Sequence, residues 1–323
     1  MRTTFPPPSS VSHSFVASTA SDRQDRSSKG FRHAVGPVKN ATGLQHLDKP
    51  VLFDSLDDNA GLRQLPGDGA TFQAHIAHAE FYKVRSIKDR ARECLALRRA
   101  EAAWNTKVHE PLLELALSRR HTSVICENAT SARILPCFLP YLITGEVAKG
   151  KMVDFVLAPN LGSGSKLDIA IQNKLIELAK QRRSSGSVSA HLCVNQTDYP
   201  PLMRSPVAVT IETNVAGANL EEGRLQLGIW IAAWHRRMEA LGVGKPGSQL
   251  PTLPLILTHD HEWSLYFAVD RLDKIEVFGP MQIGMTDNLP NIYQLLTVLG
   301  FLGAWIDTTF CSWVINAFRP GHD

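Results

Sequence analysis

Two short apolar runs each carry an acid, and that combination restricts what this chain can build. Residues 206–217 read "PVAVTIETNVAG", in which Val207 to Ile211 have the β-branched, apolar character of a buried strand between Pro206 and Gly217. The run ends on Glu212, with Asn214 two residues on. A second run, "KMVDFVLAP" (151–159), is a strand closed by proline and holds Asp154. Burying a lone carboxylate is costly, so each acid must be neutralised, hydrogen-bonded, exposed at a strand edge or bound to a cation. Either the strands simply reach solvent there, or they deliver Asp154 and Glu212 to a site. Side chains alternate along a strand, so Glu212 and Asn214 share one face and Thr213 points away. Two such acids meeting at one sheet edge would make an oxygen-rich site suited to Mg²⁺ or Mn²⁺.

The 323 residues divide unevenly. Residues 1–45 are rich in Ser, Pro, Gly and charge, too poor in large apolar groups to offset their ordering entropy. Residues 1–70 are therefore expected to be disordered or loosely ordered, ahead of one domain over 75–320. A net charge of +3 does not by itself mark a nucleic-acid binder. The N-terminus lacks the apolar core of a secretory signal. It is Arg- and Ser-rich without an acid before Asp22, as transit peptides are, but Pro6, Pro7 and Pro8 would break their amphipathic helix. The expectation is an intracellular protein of cytoplasm or nucleus, in which five cysteines without a CxxC pair are reduced core filler.

Helices and strands alternate along the domain. Residues 79–120 read as two helices divided at Pro111, 122–140 as a short strand and an irregular connection, and 165–183 as an amphipathic helix. Residues 187–197 read as a strand, 219–243 as a helix and 253–279 as a hairpin or meander. The apolar stretch 292–318 carries Asp307, Gly300 and Gly303, which favours a buried helix or helix pair over a membrane span. This pattern gives an α/β or α+β fold, a mixed sheet flanked by helices.

The order of the acids adds more: Glu101 on the first helix, Asp154 on one strand, Glu212 and Asn214 on the next, Gln226 on the helix after it. With "EAAWNTKVHEPLLELAL" (101–117), "ENATSARI" (127–134), "KMVDF", "NQTDYPPL" (195–202), "VTIETN", "LQLGIWIAAW" (225–234) and "IYQLL" (292–296), the chain resembles the fungal PD-(D/E)XK nuclease-like domain family over about residues 80–315. The resemblance implies a restriction-endonuclease-like fold. It also implies metal-dependent phosphodiester hydrolysis: Asp154 and Glu212 as metal ligands, Glu101 assisting, and Gln226 near water or phosphate. The lysine of the family's E-x-K motif is replaced by Asn214. Losing one such electrostatic group commonly costs ~10²–10³ in rate. Lys151, three residues from Asp154, falls on the opposite strand face, and Arg224 is a further substitute cation. Two readings stand: a hydrolase acting on nucleic acid with a degenerate motif, or a nuclease fold repurposed. The second would be a small-molecule enzyme, for example in fungal secondary metabolism, or a non-catalytic binding module.

Rival motifs have plainer explanations. "THDHEW" (258–263) reads as a polar hairpin turn and "NLGSGSKLD" (160–168) as a connection lacking phosphate-loop spacing. The basic run from Lys83 to Arg99 is interleaved with Asp89 and Glu93, as on a solvated helix face. Trp104 and His109 are read as structural, because a five-residue spacing does not align them on an α-helix.

Overall fold

The computed structural model describes strands 15–18 and 32–35 and residues 69–119, 123–141, 146–148, 150, 152–162, 164–181, 192–243 and 249–318. The rest of the expectation for residues 1–70 lies outside the described residues, apart from the start of the first helix. The strands are β1 Phe15–Ser18, β2 Arg32–Val35, β3 Val124–Asn128, β4 Phe155–Pro159, β5 Val209–Asn214, β6 Leu253–His259, β7 Glu262–Asp270 and β8 Ile275–Met285. The helices are α1 Gly69–Ala96, α2 Glu101–Trp104, α3 Glu110–Arg119, α4 Lys166–Gln181, α5 Leu220–Ala240, α6 Leu289–Trp305 and α7 Cys311–Ala317.

Six strands form a mixed sheet in the order β8-β7-β6-β5-β4-β3, extended beyond β8 by β2 and β1. β5 and β6 are parallel, with Glu212 opposite Leu257 and Asn214 opposite His259, and α5 makes the crossover between them. The remaining pairs from β3 to β8 are antiparallel. β4 and β5 are buried along their whole length, which is why β4 is an unbroken apolar run, while β5 buries Thr210, Glu212, Thr213 and Asn214 with its apolar residues.

The first helical region departs from expectation at Pro111. The break between helices falls at residues 97–100, where Arg98 adopts a left-handed φ of 48°. From Glu101 to Arg119 the chain is continuously helical, but Asn105–His109 form a π turn in which the Glu110 N–H reaches back to the Asn105 carbonyl. A proline ring presses on the carbonyl four residues before it, here that of Lys107, and the wider π turn at that point gives it room.

The strand expected over 187–197 is also absent from its described part. Residues 192–197 are irregular, touching Ile134 only through an isolated bridge at Thr197. The Asn195 side chain replaces a ladder there, donating to the Leu202 and Ser205 carbonyls (2.6 and 2.8 Å) and accepting from Val207 N (2.9 Å).

Residues Leu289–Ala317 are long and apolar enough to cross a membrane by length and composition. In the fold one side of this stretch is core: Ile292, Leu295, Leu299, Ile306, Phe310 and Val314 are buried. α6 sits close to the sheet because β8 offers Gly284, at φ 150°; a Cβ there would lie 2.7 Å from Leu295 Cγ and 3.1 Å from the Asn291 carbonyl. Gly284→Ala is therefore expected to lower the free energy of unfolding by about 1–3 kcal/mol. Urea unfolding at unchanged m-value would read the loss, and an unchanged midpoint would mean that α6 does not pack this tightly.

Candidate active site

Asp154 stands one residue before β4, yet its backbone is tied on both sides. Its N–H donates to the Ile211 carbonyl (3.1 Å) and its carbonyl accepts from Ala129 N (2.7 Å). The carboxylate is 6 % exposed and collects donors from two elements. Oδ1 accepts from Asn105 Nδ2 at 3.1 Å, and Oδ2 accepts from the backbone N–H of Thr213 at 2.8 Å. The Thr213 hydroxyl lies within reach of both Asp154 Oδ2 (2.9 Å) and Asn105 Oδ1 (2.8 Å), and with one proton it donates to one of them at a time. Burial pushes the Asp154 carboxyl above its ordinary range, and these donors partly counter the shift.

Glu101 opens α2, where a carboxylate is favoured by the helix N-terminus. Its carboxyl is pushed up to about 7, first by burial and then by the charge of Asp154. On the other side of β5, Gln226 of α5 donates from Nε2 to Glu212 Oε1 (2.7 Å) and to the Met152 carbonyl (3.3 Å). Thr213 and Glu212, adjacent on β5, thus face opposite sides of the sheet, one toward the α2 region and the other toward α5.

Sequence and geometry together match a known family. A family model described as the PD-(D/E)XK nuclease superfamily covers residues 48–311. The chain belongs to the PD-(D/E)XK nuclease superfamily. No curated protein and no solved structure matches it. Its mixed sheet with flanking helices is the α/β, restriction-endonuclease-like fold of that superfamily. Superfamily members generally use divalent metals, and among the described residues of this chain no group of three or more His, Cys, Asp or Glu is gathered as a metal cage.

Four of the five residues singled out from the sequence are linked in pairs, Glu101 with Asp154 through their charges and Glu212 with Gln226 through a hydrogen bond. Asn214 stands apart. Its side chain is buried against Gly223 of α5, where a Cβ would collide with the amide nitrogen and lie 2.8 Å from Leu257 Cδ1. The amide nitrogen finds no hydrogen-bond partner among the described residues. Of the two substitute cations, only Arg224 lies among the described residues, and it is engaged away from Asp154 and Glu212. Arg224 pairs with Glu221 and donates to the Tyr266 hydroxyl (3.3 Å), while Lys151 lies outside the described residues.

The rival motifs resolve as local structure. Asp260 and His261 form the β6–β7 turn, Asp260 taking a left-handed φ of 50°. That turn docks on the end of β5 through Asp260 N to the Asn214 carbonyl (3.0 Å) and Ala216 N to Asp260 Oδ1 (3.0 Å). The glycine-containing loop is a helix start, with Ser165 Oγ and the Asp168 carboxylate taking the free N–H groups of Asp168 and Gly164. Along α1, Asp89 is paired with Arg85, Lys88 and Arg92, and Glu93 with Arg99.

Sequence reasoning passed over Asn105, read His109 as structural, and misjudged their helix. In a π turn a five-residue spacing does bring side chains together: Trp104 and His109 stack at 5.8 Å with an interplanar angle of 26°. Pro111 was the available signal, because an interior proline marks where a helix must deform.

The Glu101 shift has a definite pH signature. Its folded-state carboxyl binds a proton more tightly than in the unfolded chain, so this group lowers stability progressively as pH rises from 4.5 to about 7. Glu101→Gln is expected to be more stable than wild type at pH 8, with the difference fading toward pH 4. Chemical unfolding at the two pH values measures it, and a pH-independent difference would contradict the assigned environment.

Proposed function

We propose that this chain is a metal-dependent phosphodiester hydrolase in which Asn214 occupies the position of the motif lysine. The observation that carries this reading is the desolvated acid pair of Glu101 and Asp154, one strand away from the clamped Glu212. A buried carboxyl and a half-buried one, both pushed up by burial and the second also by the charge of the first, are a favourable place for a divalent cation, which would neutralise both. Mg²⁺ and Mn²⁺ need only one or two protein carboxylates, with water and substrate oxygens completing the shell, so the donor set fits such an ion without a three-residue cage. Glu101 and Asp154 would hold it on the α2 side of β5, and Glu212, which the sequence pairs with Asp154 as a ligand but which faces α5, would join them only by turning away from Gln226. When bound, the ion supplies Lewis-acid stabilisation of the scissile phosphate.

The protein's own groups divide the remaining work. Gln226 fixes the rotamer of Glu212 through a 2.7 Å hydrogen bond. Asn105 and Thr213 hold Asp154 without adding charge. Glu101, half-buried with a carboxyl near 7, is suited to exchange a proton at neutral pH. The Asn214 amide offers a donor without positive charge.

A second reading is supported by that same position. Asn214 is packed against Gly223 and Arg224 is engaged elsewhere, which leaves the lysine's charge unreplaced among the described residues. On this reading the fold is repurposed as a small-molecule enzyme or a non-catalytic binding module.

The test is cleavage of single- and double-stranded DNA and RNA with Mg²⁺ and with Mn²⁺, alongside thermal unfolding in each ion. The hydrolase reading expects cleavage that is lost in Asp154→Ala and in Glu212→Ala. It also expects stabilisation by the ion, about 2.7 kcal/mol at a hundred times its dissociation constant, that disappears in Asp154→Ala. Asn214→Lys is expected to raise the rate if the substituted ammonium reaches the phosphate. No cleavage by wild type or Asn214→Lys, together with no ion stabilisation, would move the assignment to the repurposed scaffold.

A further inference from the structure

Two buried polar side chains beside Asp154 have no assigned role in the superfamily motif. Asn105 is 5 % exposed and His109 is fully buried, an unfavourable place for polar groups unless their hydrogen bonds are met. An amide can meet a carboxylate in two ways: its NH₂ is attracted and its carbonyl is repelled. For Asn105 the choice is made by its other neighbours. Its Oδ1 lies 2.9 Å from His109 Nδ1 and 2.8 Å from the Thr213 hydroxyl.

A neutral imidazole carries its proton on one nitrogen only. With the proton on Nδ1, His109 donates to Asn105 Oδ1 and leaves the amide NH₂ for Asp154 Oδ1. With the proton on Nε2, a buried nitrogen with no hydrogen-bond partner among the described residues, Nδ1 becomes an acceptor. The amide would then reverse and turn its oxygen to Asp154.

We propose that Asn105 and His109 are positioning residues for Asp154, with His109 presenting Nδ1–H so that Asn105 turns its NH₂ to the carboxylate. The proposal deepens the reading of Asp154 as a cation ligand and rests on it. The ring is held for this task on two sides, stacked on Trp104 and edge-on to Trp263 at 5.5 Å with an interplanar angle of 84°. Trp104 is in turn met edge-on by His261 at 5.3 Å, whose Nδ1 is 2.8 Å from Thr286 Oγ1. The π turn makes the arrangement available, since it brings Trp104 under His109 while keeping Asn105 and His109 four residues apart and in contact. Groups that orient a metal-binding side chain commonly change metal affinity 10–100-fold when altered.

Two measurements on the full chain test this. The first is long-range ¹H–¹⁵N NMR of the histidine rings in wild type, assigned with His109→Gln. The expected signature is a neutral ring protonated at Nδ1, the tautomer disfavoured in free imidazole. A proton on Nε2 would overturn the proposal whatever the metal does. The second is Mn²⁺ affinity by calorimetry for wild type, Asp154→Ala, His109→Asn and His109→Gln, each with its unfolding midpoint. Asparagine sets its amide nitrogen where Nδ1 stood, whereas glutamine reaches the position of Nε2. Affinity within about 3-fold of wild type for His109→Asn and at least 10-fold weaker for His109→Gln is the expected result. Equal losses that simply follow the stability of the two variants would overturn the positioning role. Mn²⁺ binding that is absent, or indifferent to Asp154→Ala, would sink the hydrolase reading instead, and the ring tautomer would still decide whether His109 orients Asn105.

Discussion

The arrangement depends on how a carboxylate is kept at the buried end of an apolar sheet. An uncompensated charge in a protein interior costs several kcal/mol even after relaxation, of order 3–5 when a partner is removed. Asp154 is compensated by the Thr213 backbone N–H and the Asn105 amide, with the Thr213 hydroxyl in reach, and no lysine or arginine is among these neighbours. Neutral donors stabilise the carboxylate while leaving its charge available. A cation of the protein's own would have satisfied it more fully and would also have competed with any metal ion for the same oxygens.

This requirement shapes the neighbouring elements. Asn105 reaches Asp154 from a helix whose regular winding is interrupted at that point, and the π turn that accommodates Pro111 also brings His109 onto Trp104 and against Asn105. β5 then works on both of its faces. Thr213 serves Asp154 and Asn105, while Glu212, one residue earlier, is held by Gln226 from α5. A strand that passed between two helices with only apolar side chains would be more stable. Placing Thr213 and Glu212 back to back gives up that stability to hold two acids in fixed orientations.

Much of this was legible in the residues because it follows from simple periodicity. Apolar runs at 151–159 and 207–211, the helical patterns over 165–183 and 219–243, and the meander after Leu253 are local signals, and they place Glu212 and Gln226 on their strand and helix and Asp154 one residue before β4. What was not legible depends on long-range geometry or on departures from ideal winding. The pair Trp104 and His109 was read with α-helical spacing, which a single π turn invalidates. Thr213 was expected to point away from the site. It does leave the Glu212 face, but Asp154 turns its carboxylate to meet it, a contact that β4 and β5 produce only once paired. Residues 187–197 read as a strand, yet in the described part Leu192 is exposed, and Cys193 and Val194 are buried beside an Asn195 side chain that bonds the segment from Leu202 to Val207.

Asn214 marks the point where local fit and chemistry pull in different directions. A lysine at this position would extend toward the substrate from the end of β5, and its stem would have to pass the first turn of α5. There Gly223 lacks the Cβ that would strike the Asn214 amide, and Leu257 closes the same space from β6. Gly223 lies in the first turn of α5, where glycine is unfavourable by up to about 1 kcal/mol relative to alanine. That cost is met by the close fit around the buried amide. The surroundings are therefore fitted to a short side chain, so on the proposed reading the replacement of the motif lysine is a feature of the whole β5–α5 corner rather than of one position. Among the described residues, a hydrolase built on this corner would draw its transition-state stabilisation from the bound cation and the Asn214 amide dipole, because Arg224 is turned to Glu221 and Tyr266.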